Sequence, residues 1–151
     1  MSASTRSKRS QGARPRLIYL VNNLNLLVRR MLDERLKPHN LGGLQYTILT
    51  LIRDRDGISS AELSRRFFVT PQTMNESVTA LERRGLIARK ESEANRRILI
   101  ARVLPEGLAL LETCDKIADE VEAEVFADLP ADKQDVLHDL LRDRIGRLMQ
   151  G

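Results

Sequence analysis

At 151 residues the chain has the length of one ordinary domain, long enough to bury a core. Its one cysteine excludes an intramolecular disulfide and fits a reducing cytosol, and no apolar run nears the roughly 18 residues that span a membrane. The formal net charge of +4 is unevenly spread, at +5 over residues 1–16, +2 over 17–61, +4 over 62–103 and −7 over 104–151, so a phosphate-binding surface belongs in the middle and not in the last third.

Residues 1–15 offer Ser, Arg, Lys, Gly and Pro with little to bury, and read as a disordered basic tail. The apolar run Leu17–Val21 after that basic start resembles a signal peptide. Asn22, Asn23 and Asn25 break it, and no small-residue cleavage site follows, so a cytoplasmic protein is expected. From residue 16 to 36, Leu17, Val21, Leu24, Val28, Met31 and Leu32 recur at helical spacing, which predicts a long helix ended near Pro38. Its three asparagines are expected on the exposed side.

A shorter helix is predicted over 44–53, entered through Gly42-Gly43 and carrying Leu44, Ile48, Leu51 and Ile52. Asp56-Gly57 marks a turn. Ser59 followed three residues later by Glu62 has the spacing of a capping box, opening a helix with Ala61, Leu63 and Phe67 inward. Three residues, 68–70, then lead into a helix with both ends marked. Thr70 suits the cap, Pro71 the first turn and Gly85 the left-handed residue beyond the end. A helix, a tight link and a second helix make a helix-turn-helix.

That second helix is predicted to bury Met74, Val78 and Leu81, at i, i+4 and i+7. Its opposite face carries Gln72, Glu76, Thr79 and Arg83, flanked by Asn75. Gln and Asn can pair two-fold with an adenine edge, and Glu can accept from cytosine. Beyond Gly85, residues 86–88 and 98–103 are strand-prone runs joined by a polar, basic tip. Helix followed by basic hairpin is the outline of a winged helix, with the helix in the major groove and the hairpin along the backbone or in the minor groove.

A further helix starts at Leu104-Pro105, with a stripe of Leu104, Leu108, Leu111, Cys114 or Asp115, Ala118, Val121 and Val125. Pro130 permits a last one, with Val136, Leu137, Leu140, Leu141, Ile145, Leu148 and Met149. The first and the two terminal helices have more apolar surface than a small module can cover. A second copy of the chain across a two-fold axis would bury it. The fold class expected is mainly α with a small β-hairpin wing. A DNA-binding winged helix-turn-helix occupies 41–104, and 16–40 with 105–151 form a helical dimerisation region.

No phosphate loop, catalytic serine motif or metal-ligand spacing appears, so no cofactor, metal site or enzyme activity is expected. His39 reads as a loop residue and His138 as an exposed edge of the last helix. Cys114, on or beside an apolar stripe, reads as a small buried hydrophobe; the rival reading is a redox-sensing thiol.

Several runs together resemble the MarR family of bacterial regulators over about residues 17–150. They are Leu41-x-x-Leu44-Gln45-Tyr46-x-Ile48-Leu49; Gly57-Ile58-Ser59-x-x-Glu62-Leu63; Thr70-x-x-Thr73 with Val78-x-x-Leu81-Glu82-x-x-Gly85-Leu86-Ile87-x-Arg89; and Asn95-Arg96-Arg97 before Gly107. The resemblance implies a homodimer of winged-helix subunits on a palindromic operator, usually a repressor. It also implies a small, often aromatic or phenolic effector between the dimerisation and DNA-binding regions. Tyr19 and Tyr46 lie on helices lining that cleft and are the candidates to touch it; the alternative is core packing with each hydroxyl tied to backbone.

Four departures from the family pattern bear on function. Asn95 replaces an acid that steadies the wing arginine, here Arg97; an amide can still bond a guanidinium, without charge assistance. Glu76 stands where a basic residue is common, so it either reads a base or pairs with a neighbour. Phe68 stands where glycine is common, and a left-handed Phe is strained, so another turn geometry is expected. Leu104 replaces the Ser or Thr that usually precedes the next helix.

The expected division of labour follows. Gln72, Asn75, Glu76 and Thr79, with Thr73 and Arg83, meet base edges or nearby phosphates. Arg89 and Lys90 steady the backbone, and Asn95, Arg96 and Arg97 work at the wing. The remaining alternative is a winged helix that binds protein instead of DNA.

Overall fold

A computed structural model describes residues 14–150, so the basic N-terminal tail lies, except for Arg14 and Pro15, outside the described residues. The elements are α1 (Leu17–Leu36), α2 (Gly43–Asp54), β1 (Ile58–Ser59), α3 (Ser60–Phe67), α4 (Pro71–Arg83), β2 (Ile87–Glu91), β3 (Leu99–Val103), α5 (Pro105–Val125) and α6 (Ala131–Met149). A short 3-10 turn, Lys37–His39, closes α1 at Pro38 as expected and places His39 in a tight turn. The three strands form an antiparallel sheet in the order β1-β3-β2, with Ile87 opposite Val103 and Ile58 opposite Ala101.

The core sits where α2, α3 and α4 meet the sheet and the first half of α5. Ile48, Leu49, Ile52, Leu63, Met74, Val78, Leu81, Leu111 and Cys114 are all 0% exposed. Helix α2 is fixed at its start by its predecessor. The Asp33 carboxylate of α1 accepts the Gly43 amide at 2.6 Å, supplying the cap that a glycine-led helix cannot give itself. A side chain at Gly43 would crowd Asp33 and Leu32.

Several expectations need correcting. Strand β1 was not anticipated; two residues are too few to display a period of two, and β1 exists because β3 has a free edge. Only half of the capping box forms. Ser59 accepts the Glu62 amide at 3.2 Å, while the Glu62 carboxylate turns away to Arg66 at 2.9 Å. In α3, Ala61 is exposed and Ser64 is buried instead, its hydroxyl satisfied by donating to the Ala61 carbonyl. Phe68 does adopt the left-handed conformation, at φ 52°, contrary to the geometry expected for it. Its amide closes α3 by donating to the Ser64 carbonyl, and its ring is left 85% exposed. In α5 the buried line is Gly107, Leu111, Cys114 and Val121, so Cys114 and not Asp115 continues the stripe, and Leu108 is exposed.

Gly107 is where backbone meets backbone. A Cβ there would lie 2.2 Å from the Leu86 carbonyl oxygen, which itself accepts the Leu104 amide at 2.9 Å. The start of α5 is thereby seated directly on the head of the wing. At the other extreme, α6 buries none of its residues, and Val136, Leu140, Ile145 and Leu148 are all more than half exposed. The outer turns of α1 are similar, with Leu17, Ile18 and Leu27 exposed.

Candidate nucleic-acid interface

The site is built on α4. Thr70 accepts the Thr73 amide at 3.1 Å and donates its hydroxyl to that of Thr73, and Pro71 occupies the first turn, where no amide partner is lost. Met74, Val78 and Leu81 pin one side of the helix into the core. That leaves Gln72, Thr73, Asn75, Glu76 and Arg83 exposed and Thr79 half-buried on the other side. Gly85, at φ 70°, ends the helix in the left-handed conformation its position predicts.

The exposed face is internally bonded, which the sequence does not disclose. Arg89, on β2, lies folded against α4 with its side chain only 17% exposed. Its backbone amide and Nε each donate to Glu82 at 3.1 Å, and Nη2 reaches Glu82 at 2.7 Å. The same guanidinium donates to Asn75 Oδ1 at 3.1 Å and to Thr79 Oγ1 at 3.3 Å. The Arg89 guanidinium, hydrogen-bonded to it, holds the Glu82 carboxyl below its ordinary range. Arg89 is therefore not a free cation set out along the DNA backbone, as its charge alone suggested. One turn earlier, the Gln72 amide nitrogen donates to Glu76 at 3.3 Å, so among the described residues Glu76 has a neutral partner and no cation.

Arg83, Lys90, Arg96 and Arg97 are exposed, and no carboxylate among the described residues pairs with them. At the wing tip Asn95 accepts the backbone amide of Arg97 at 3.1 Å. The amide side chain thus shapes the turn and, among the described residues, makes no bond to the Arg97 guanidinium, although its chemistry would allow one. Arg84 escaped the sequence reading. It donates to the carbonyls of His39 and Asn40, tying the end of α4 to the turn after α1. Its residue type gives no signal of this; only the turn's position does.

The two tyrosines are not brought together. Tyr19 is exposed at the start of α1. Tyr46 is half-buried on α2, and its hydroxyl donates to the Asp115 carboxylate of α5 at 2.8 Å and not to backbone. Arg53 binds the other oxygen of Asp115 at 2.7 Å. Burial, then the bond to Asp115, pushes the Tyr46 phenol up to about 12. Neither ring lines the apolar cleft of about 330 Å³ that runs between α1, α5 and α6, past Val28, Val121, Phe126 and Leu137. Cys114 is buried, and burial followed by the neighbouring Asp115 charge raises its thiol. His138 is exposed on α6, beside Asp139. Among the described residues no group of His, Cys, Asp and Glu has the geometry to hold a metal ion, and no helix is long and apolar enough to cross a membrane.

A capped, outward-facing helix after a tight helix-turn, with a basic hairpin at its side, defines the winged helix-turn-helix class. The comparisons agree. The model described as MarR family matches residues 39–98. The HTH-type transcriptional repressor Rv2887 of Mycobacterium tuberculosis is 33% identical over 116 residues, which span 77% of this chain and 84% of the relative. The multiple antibiotic resistance protein MarR of Salmonella typhimurium is 27% identical over 128 residues, 84% of this chain and 87% of its own length. Among solved structures, the Rv2887 complex with p-aminosalicylic acid is 30% identical, with a TM-score of 0.71, covering 85% of this chain and 98% of that one. A structure of MarR reaches a TM-score of 0.83 at 24% identity, over 91% of this chain and 94% of that one, and so speaks for the fold. This chain belongs to the MarR family of transcription regulators.

Proposed function

We propose that the protein is a homodimeric repressor that acts by binding, without catalysis, in the cytoplasm. It reads a palindromic operator with α4 and braces the backbone with its wing. The observation that carries this reading is the pairing of an exposed hydrogen-bonding face on α4 with the unpaired cations Lys90, Arg96 and Arg97 beside it. Gln72, Thr73, Asn75 and Glu76 meet base edges, while Thr79 and Arg83 flank them. Arg96 and Arg97 neutralise phosphates. A 13-residue helix is about 20 Å long, enough to lie along a major groove. The exposed stripes of α1 and α6 favour a second copy, which would set two such helices about 34 Å apart.

A gel shift or fluorescence anisotropy titration on the region upstream of its own gene tests this. With about 8 to 10 phosphates neutralised per dimer, log affinity should fall against log salt with a slope of about −7 to −9. Failure to bind any duplex at low salt, with the protein folded, sinks the reading and favours the protein-binding alternative. For release, the ligand class supported is a small aromatic acid or phenol, on the strength of p-aminosalicylic acid in the structure of the Rv2887 relative. Since Tyr19 and Tyr46 are the only 2 tyrosines, weaker p-aminosalicylate binding by Tyr19→Phe or Tyr46→Phe in calorimetry would point to contact with that residue. The burial of Cys114 and its raised thiol disfavour oxidant sensing, because the thiolate is the reactive form. A Cys114→Ser variant should keep any oxidant response unchanged.

A further inference from the structure

A guanidinium has five donors and no acceptor, so whatever atom faces it must accept. Arg89 Nη1 lies 3.1 Å from the Asn75 side chain, which fixes the amide with Oδ1 inward and its NH₂ outward. Arg89 is in turn held by three hydrogen bonds to Glu82, one of them from its backbone amide, and its neighbour Thr79 accepts from it as well. Turning the Asn75 amide over would set NH₂ against guanidinium, donor against donor. Asn75 itself is exposed on the outward face of α4, so the group turned away from Arg89 is its NH₂ donor.

The usual pairing of asparagine with adenine needs both ends of the amide, the oxygen accepting from N6 and the nitrogen donating to N7. Here Arg89 occupies one of the oxygen's two lone pairs and keeps the oxygen turned towards itself. Guanine is the base whose major-groove edge shows two acceptors, O6 and N7, and no donor. Adenine offers the outward NH₂ one acceptor, N7, beside an amine that can only donate, where guanine offers two acceptors. We propose that Arg89 is a positioning residue that fixes the polarity of Asn75, so that Asn75 selects guanine over adenine. This rests on the DNA-binding reading above, and it replaces the two-fold adenine contact that residue type alone suggests.

The experiment is selection of bound duplexes from a random library by the wild-type protein, Asn75→Ala and Arg89→Lys. The base pair whose preference disappears in Asn75→Ala identifies the one Asn75 reads. In the wild-type selection that pair should be G·C, and exchanging it for A·T should weaken binding about tenfold. Lysine at 89 can keep its charge against Glu82 but lacks the fork that also reaches Asn75. The amide is then free to rotate, and the penalty for A·T should shrink to about threefold or less. Wild-type enrichment of A·T at that pair overturns the proposal, as does an Arg89→Lys protein that binds with the full penalty. So does an Asn75→Ala variant that loses preference at no position. The wild-type and Asn75→Ala selections decide the base by themselves, so a poorly folded Arg89→Lys protein would not shelter the idea. A folded wild-type protein that enriches no sequence at all would instead sink the DNA-binding reading.

Discussion

Helices α4 and α6 carry apolar stripes of similar spacing, and the stripes end in opposite situations. In α4, Met74, Val78 and Leu81 are each 0% exposed, sealed by elements of the same chain. In α6, Val136, Leu140 and Ile145 stay 58%, 56% and 56% exposed, and the nearby cleft against α1 and α5 is open. Amphipathic periodicity thus says that a face wants covering, not who covers it. The apolar stripe of α4 is covered within one chain, whereas that of α6 is left uncovered by the described residues.

The largest expected effects separate those two cases. Leu81→Ala should cost about 2–5 kcal/mol of unfolding free energy in denaturant titration, and this loss should not vary with protein concentration. Leu140→Glu with Ile145→Glu should instead reduce the mass in solution from twice 17.2 kDa to 17.2 kDa, read by light scattering, with the helical circular dichroism of the α4 module retained. A mass that stays doubled would break the contrast.

Gly107→Val comes next. It forces a Cβ to within 2.2 Å of the Leu86 carbonyl, and about 3 kcal/mol should be lost in the same titration. Below it stands the polar clamp. Glu82→Gln should cost about 1 kcal/mol, since Glu82 is 34% exposed and water screens part of the pair. The depressed folded-state pKa of Glu82 stabilises the protein above its ordinary value of 4.5, and that contribution disappears as pH falls through the folded value. The gap between wild type and Glu82→Gln should therefore close on acidification.

Tyr46→Phe should cost about 1 kcal/mol or less through the lost bond to Asp115. Because the phenol rises from 10.0 to about 12, stability from that site is full below about pH 10 and declines towards 12; the 295 nm absorbance step of Tyr46 should appear near the upper value. The smallest effect has the opposite sign. Phe68→Gly should raise the melting temperature slightly, by relief of about 1 kcal/mol of left-handed strain at an exposed position.

What was legible in the chain was its helix punctuation. Thr70, Pro71 and Gly85 mark α4 because caps and breakers act within a few residues, and the structure keeps them in those roles. Met74, Val78 and Leu81 were legible for the same local reason. What was not legible depends on partners distant in sequence. Asp33 caps α2 from α1, Arg84 reaches the His39 and Asn40 carbonyls, and Asp115 gathers Tyr46 and Arg53 from α2. Arg89 is the instructive case. Its charge predicted an outward role, yet Glu82, seven residues earlier, folds it inward across the gap between helix and strand. Phe68 shows the converse, a strained residue that composition argued against and the tight link nonetheless demands.

The contact of Gly107 with the Leu86 carbonyl makes α5 a lever arm whose pivot lies at the wing. With 21 residues the arm is about 31 Å long, so a tilt of about 5° moves its far end by about 3 Å, close to the rise of one base-pair step. With the far end held against a second copy instead, the same tilt would carry the reading head through about one rung of the duplex.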